Sequence, residues 1–334
     1  MSSIPIVRVI VLNWNGRSWL GGCLEALRQQ VGGPFEIVLV DNGSTDGSAD
    51  FVRERFPECR VVALGVNIGF AAGNNAGARG ATVPYLAFLN NDTKVDPGWL
   101  AALVAAAESD PSVGLVTSRV VFMDRPDVID SAGDGYLRCG GAFKHLHGQR
   151  VDGRLASREV FGACGAAFLI RRDLFEVLGG FDEDLFMVYE DVDLSYRARL
   201  RGGRCVYADA ASVKHAGSAS LGLASSLAVY HGQRNLEWTW IKNSPRALLV
   251  RSLPAHVLYN LAGLAAYARA GRLGAWCRGK VAALRGLPAV WRKRREVQRT
   301  AIADPDALWA LMEDDWVGVK RREKRFDLSS RRPS

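Results

Sequence analysis

The chain has 334 residues, 48 % of them hydrophobic and 23 % charged, proportions that exclude a disordered chain, a collagen-like repeat and a coiled-coil rod. Six cysteines without a CxxC pair argue against a structural zinc site or a disulfide framework and for reduced thiols. The net charge of +8 is uneven: residues 1–217 carry 22 Lys+Arg against 26 Asp+Glu, and residues 218–334 carry 21 against 9, which suggests chemistry in front and an anionic surface behind.

Through residue 120 two textures alternate. Apolar runs rich in Val, Ile and Leu at 7–12, 36–40, 60–64, 85–89 and 113–116 read as strands. Helical stretches at 18–30, 48–56 and 71–79 separate the first four, and another at 97–108 follows. This order predicts βαβ units and a mostly parallel sheet covered by helices on both faces. The first run begins within ten residues of Met1, which fits no signal peptide and points to the cytoplasm.

The residues just after each strand carry the functional signal. Strand one ends in Asn13-Trp14-Asn15-Gly16, strand two in Asp41-Asn42-Gly43-Ser44-Thr45-Asp46, strand three in Asn67-Ile68-Gly69 and strand four in Asn90-Asn91-Asp92. Such residues form turns and helix caps. Four successive strand ends loaded with them, at the edge where open α/β sheets bind ligands, read as a binding site.

Residues 122–160 have no clear period and read as a long loop or small excursion over that site, of the kind that carries acceptor specificity, with His145 and His147 as solvated loop residues in preference to paired ligands. The Gly-interrupted run 161–170 reads as a strand that lets another group approach closely. Glu190, Asp191 and Asp193 come next in an apolar setting, where carboxylates are costly unless used or paired. One reading has them favour a helix N-terminus and pair with Arg197 and Arg199; the other makes at least one of them functional.

After 218 the texture becomes helical and basic, with a helix expected at 230–240. The longest uncharged window, 252–268, has seventeen residues, whereas a spanning helix needs about 20 mainly apolar ones. With Trp276, Trp291 and the Arg292–Arg295 cluster, it reads as an interfacial segment on anionic lipid, or else as helices packed on the body with a solvated basic face. Five cations within 320–325 precede a disordered-looking end. No nucleic-acid module accompanies the basic charge, so no nucleic-acid partner is expected.

The strings VLNWNG, VDNGSTDGS, NIGFAAGNNAG, LNND, GGFDE and YEDVDLSYR, followed by His215, together resemble the family-2 inverting glycosyltransferases of GT-A fold, in particular their rhamnosyltransferase-like branch. The resemblance covers roughly residues 5–240. It implies a GT-A catalytic domain at 1–217, a helical, membrane-associating segment at 218–300 and a basic tail at 301–334. It also implies a nucleotide-sugar pocket formed by Asn13, Asn15, Asp41, Asn67, Asn74, Asn75, Asn90 and Asn91, with Asp41 on the base. Many relatives carry Arg where this chain has Asn74. Asn90-Asn91-Asp92 replaces an Asp-x-Asp metal motif, leaving Asp92, with His215, to hold Mn²⁺ or Mg²⁺.

Glu190-Asp191 matches the family's catalytic pair, with Asp191 as general base and Glu190 orienting the acceptor. Arg234 is expected to meet the diphosphate of a lipid-linked acceptor. The Gln-x-x-Arg-Trp pattern of processive synthases is missing at Gln233-Arg234-Asn235, which favours a single addition. The resulting expectation is a transferase on the cytoplasmic membrane face. It moves one sugar, rhamnose from a dTDP donor being the first candidate, to a lipid-linked or cell-envelope glycan. The alternatives are an inactive membrane-tethered nucleotide-sugar-binding scaffold and a sugar nucleotidyltransferase, which would need a basic Gly-rich loop after strand one.

Overall fold

Strand β1 (Val7–Asn13) sets the architecture because both of its faces are apolar. Val7, Val9 and Val11 enter one core with Leu20, Leu24 and Leu27, while Ile10 enters the opposite core with Phe88, Phe168 and Phe181. A strand buried on both faces needs helices on both sides. The computed structural model describes residues 5–151, 153–217 and 225–330.

In chain order, α1 (Arg17–Arg28), β2 (Phe35–Asp41), α2 (Ser48–Arg55), β3 (Arg60–Ala63), α3 (Gly69–Ala78), β4 (Tyr85–Asn90), β5 (Thr93–Val95) and α4 (Trp99–Glu108) build the front half. Strands β3, β2, β1 and β4 lie side by side and parallel, with Asn13 opposite Asp41 in register. Four strand ends therefore open on one edge.

Then come β6 (Val113–Phe122), β7 (Ile129–Ser131), β8 (Asp134–Tyr136), β9 (Ala142–Lys144), β10 (Arg158–Val160), β11 (Ala167–Arg171), α5 (Arg172–Val177), α6 (Glu190–Leu200) and β12 (Arg204–His215). The fifth apolar run, β6, is separated from β4 by β11, which inserts antiparallel between them. The 122–160 region is an excursion with short strands of its own: β7 joins β6, β8 pairs with β9, and β10 pairs with β12. It is substantially buried, with Ile129, Asp130, Asp134 and Tyr136 nearly inaccessible. His145 and His147 are half-buried in it rather than freely solvated. The first packs on Phe143, and the second bonds the Asp130 carbonyl at 2.7 Å and packs on Phe122 and Phe326.

The rear is helical: α7 (Ser226–Asn243), α8 (Arg246–Arg269), α9 (Leu273–Arg285), α10 (Leu287–Arg299), α11 (Pro305–Leu311) and α12 (Trp316–Ser330). Buried charge fastens it to the body. Lys242 pairs with Asp182 and Asp193, and Lys293 pairs with Asp182 and Asp184. The basic stretch 320–325 lies within α12, which packs back on the body as Lys320 donates to the Ala142 carbonyl at 3.0 Å. Residues 331–334, where a disordered end is expected from the sequence, lie outside the described residues. Among the described residues, no helix is long and apolar enough to cross a membrane.

Candidate active site

The front wall is a chain of amides at the strand ends. Asn13, fully buried, donates to Asp41 Oδ1 at 3.3 Å and to Ser44 Oγ at 3.1 Å, and accepts from Asn91 Nδ2 at 2.6 Å. Asn15 closes the first loop on the second by accepting from the Thr45 N–H at 2.8 Å, from a left-handed conformation (φ 51°). Gly16 is required here, since a Cβ on it would stand 2.0 Å from Asn91 Nδ2. Asn67 is drawn in through Asn42, whose amide donates to it at 3.0 Å.

Asn42 was not anticipated as a site residue, although it lies inside the second strand-end string. Two anticipated residues serve elsewhere. Asn74 is buried in α3 and donates to the Phe70 carbonyl, and Asn75 clasps Phe181 and Glu183. The Asn90 side chain makes no hydrogen bond among the described residues, while its backbone N–H reaches the Ala166 carbonyl at 2.9 Å.

That contact leads to the rear wall. The neighbouring Gly165 N–H donates to Asp191 Oδ2 at 2.8 Å, and a Cβ at Gly165 would meet that oxygen at the same distance. The close approach anticipated for the Gly-interrupted run is therefore to a carboxylate. Asp191 and Glu190 stand at the start of α6 after a tightly bent lead-in, in which Phe186, Val188 and Tyr189 all have φ between 62° and 79°. Non-glycine residues in that region cost of order 1–3 kcal/mol each and persist only when their surroundings impose them. Asn235 imposes it, its amide donating to the carbonyls of Leu185, Met187 and Val188 at 2.7–2.9 Å. This residue was missed because an Asn inside a helix reads as an ordinary polar-face residue. Arg234 serves the same loop, donating to the carbonyls of Asp184 and Leu185 and lying over Trp238.

Neither Glu190 nor Asp191 has a cation as partner among the described residues. Burial, reinforced by Asp191, pushes the Glu190 carboxyl up to about 8, and its Oε2 is buried without a hydrogen bond. Burial also raises Asp191, against the N–H groups of Gly165 and Val192. Asp134, missed in the 122–160 region, is raised well above the carboxylate range by burial and by Asp191. Asp193 follows the pairing reading instead. Burial would raise it, but Lys242 and Arg197 outweigh burial and hold it low. Arg199 pairs not with these acids but with Glu159.

Between the walls, His215 Nε2 lies 3.3 Å from Asp92 Oδ1, and its Nδ1 lies 2.8 Å from Asp130 Oδ2. Burial works against the imidazolium, yet hydrogen bonds to Asp130 and Asp92 lift it to about 9. No cluster of three or more His, Cys, Asp or Glu side chains forms a cation cage among the described residues.

Comparison with known proteins gives this arrangement a setting. Residues 8–179, about half of the chain, match the model described as Glycosyl transferase family 2. The chain is similar to the N-acetylglucosaminyl-diphospho-decaprenol L-rhamnosyltransferase of Mycobacterium tuberculosis, with 29% identity over 68% of this chain and 81% of the relative. It is also similar to the O-antigen biosynthesis protein RfbC of Myxococcus xanthus, with 32% identity over 65% of this chain but 18% of that much longer protein.

Among solved structures, GalNAc-T7 with UDP, GalNAc and Mn²⁺ aligns with a TM-score of 0.56 at 18% identity, over 70% of this chain and about half (48%) of its own. The mannosyltransferase PcManGT from Pyrobaculum calidifontis, in complex with GDP-Man and Mn²⁺, aligns with a TM-score of 0.54 at 22% identity, over 92% of this chain and 86% of its own. These likenesses establish the GT-A fold.

Proposed function

The chain belongs to glycosyl transferase family 2 and is a glycosyltransferase using a nucleotide-sugar donor; on that premise we propose that it inverts the anomeric centre in a single displacement, with Asp191 as general base. The observation that carries this reading is Asp191 itself. It is a buried carboxylate whose basicity burial raises against the N–H groups of Gly165 and Val192 and the charge of Lys144, and it forms no ion pair among the described residues. A base of this kind accepts the acceptor hydroxyl's proton as that oxygen attacks the anomeric carbon, while the bond to the nucleoside diphosphate breaks. Glu190, protonated in the neutral range, donates a hydrogen bond that orients the acceptor.

In this reading residues 1–217 form the catalytic domain, and the donor lies along the amide wall. Asp41 accepts from the base, and Asn13, Asn15, Asn67, Asn90 and Asn91 line the pocket. The donor set also suits a hard divalent cation, one carboxylate and one imidazole beside the diphosphate oxygens. Asp92 and His215 would hold Mn²⁺ or Mg²⁺, which supplies charge neutralisation at the leaving diphosphate. Asn75 and Arg234 act by holding the loop that leads to Glu190, and Asn74 acts within α3.

The similarity to the mycobacterial rhamnosyltransferase supports rhamnose as the sugar and a polyprenyl-diphosphate-linked glycan as acceptor, and the donor proposed with them is dTDP-rhamnose. A surface feature supports the same acceptor class. On α8, Val250, Leu253, Val257, Leu258 and Leu261 are exposed at the spacing of one helix face. No Asp or Glu occurs between Glu237 and Glu296, a stretch with twelve Lys or Arg. An apolar stripe in a purely cationic setting fits an anionic bilayer surface, which it would meet lying flat. In this reading the protein sits peripherally on the inner face of the membrane.

The test is thermal stabilisation by dTDP, UDP and GDP, each with and without Mn²⁺, followed by transfer assays on a prenyl-diphosphate glycan. A Mn²⁺-dependent shift with dTDP and formation of the inverted glycoside support the reading. No shift with any nucleotide, from folded protein, removes it. Flotation with phosphatidylglycerol vesicles, lost in Leu253→Glu/Leu258→Glu, tests the membrane face.

A further inference from the structure

The mechanism above gives no task to Asp130, yet it is among the most enclosed charges of the site. It sits on β7, 2 % exposed, in the region that reads as loop in the sequence. One carboxylate serves three groups. Oδ2 accepts from His215 Nδ1 at 2.8 Å, while Oδ1 meets Lys144 Nζ at 2.8 Å and His147 Nδ1 at 3.3 Å. His147 is itself fixed by its 2.7 Å bond to the Asp130 carbonyl. Lys144 comes from β9 and His215 from the end of β12, so three separately folded elements converge on this side chain.

From this geometry we infer that Asp130 is a positioning residue, which fixes the His215 ring so that Nε2 faces Asp92. The argument rests on the two-ended use of the imidazole. A ring nitrogen bound to a carboxylate can no longer turn away, and the opposite nitrogen is then aimed by the ring's own geometry. Without Asp130, His215 has only its 3.3 Å approach to Asp92 to define its orientation. Lys144 and His147 make the arrangement rigid in turn, because they hold the other carboxylate oxygen and prevent Asp130 from rotating. The inference rests on the assignment of Asp92 and His215 as the cation-holding pair.

The experiment uses the full chain, with two readouts. Mn²⁺ affinity in the presence of nucleoside diphosphate is read by electron paramagnetic resonance, and the His215 ring by imidazole ¹⁵N spectra of the metal-free protein. Five histidines make that spectrum assignable by single substitutions. Asp130→Asn should shift the His215 Nδ1 signal and weaken Mn²⁺ binding about 10- to 100-fold, the usual effect of losing such a partner. In a His215→Gln background it should have almost no further effect on Mn²⁺. Should Asp130→Asn not fold, Asp130→Glu keeps the charge beside Lys144 and should also weaken Mn²⁺ binding by displacing the ring.

Unchanged ring signals together with unchanged Mn²⁺ affinity overturn the inference. So does an equal loss of Mn²⁺ affinity with and without His215. If the wild-type protein binds no Mn²⁺, the cation assignment falls, and the ¹⁵N spectra alone decide whether Asp130 fixes the ring.

Discussion

Around Asn13 amides, a hydroxyl and the single Asp41 carboxylate satisfy one another, whereas around Asp191 the polar groups are carboxylates kept from water and left partly without partners. The first wall costs little to fold, because each buried group exchanges a water for a neighbour. The second wall is maintained against its own preference. Burial raises Glu190, Asp191 and Asp134 together, and a run of left-handed residues presents two of them. The contrast teaches a division of labour. A recognition surface wants fixed, satisfied groups, while a proton-transfer site wants groups whose charge is poorly solvated.

The largest effect should come from breaking the second wall at its working atom. Asp191→Asn keeps the size and the Gly165 contact but removes the basic oxygen. It should lower kcat about 10²- to 10⁴-fold with little change in donor affinity. A main loss in donor binding would move Asp191 to the recognition wall. Next is the charge that holds this wall in place. Lys242, 3 % exposed in its side chain, neutralises Asp182 and Asp193. Removing one member of a buried pair strands the others, so Lys242→Ala should cost about 3–5 kcal/mol in denaturant unfolding. A cost below about 1 kcal/mol, the scale of an exposed pair, would mean that α7 is not held to the body by charge.

On the recognition wall the effect should be smaller and confined to binding. Asp41→Ala removes one charged acceptor and leaves the Asn13 amide only Ser44 Oγ as acceptor among the described residues, so calorimetry should find donor affinity about 10- to 100-fold weaker. The kcat at saturating donor should change far less. An equal fall in kcat would mean that the two walls are not separable.

The two walls also differ in how far the sequence discloses them. Residues 13, 15, 41, 67 and 91 are legible because parallel strands deliver their ends to one edge, and local strings name what stands there. Even on this wall the strings do not show what Asn74 and Asn75 bond, one turn into α3: Asn74 donates to the Phe70 carbonyl and Asn75 to the Phe181 carbonyl. On the other wall, Glu190 and Asp191 are visible as costly acids, but their neighbours are not. β7, β8 and β9 are three residues each, too short to show a period, so Asp130, Asp134 and Lys144 fall in apparent loop. The insertion of β11 between β4 and β6 is a pairing of distant segments, which no local pattern encodes.

The finest test of the contrast is the pH dependence of stability at Glu190. A carboxyl raised from its ordinary 4.5 to about 8 binds its proton more tightly in the folded state than in the unfolded one. Its favourable contribution is complete below about pH 4.5 and is lost as pH rises through about 8, where the fold must carry a buried charge. Glu190→Gln keeps the shape and cannot ionise. Its melting temperature, measured against the wild-type protein, should gain steadily between about pH 5 and pH 9 and level off above, Asp191 and Asp134 titrating in both proteins. A difference flat across that window would mean that Glu190 is already ionised in the folded protein, and the second wall would then be as well satisfied as the first.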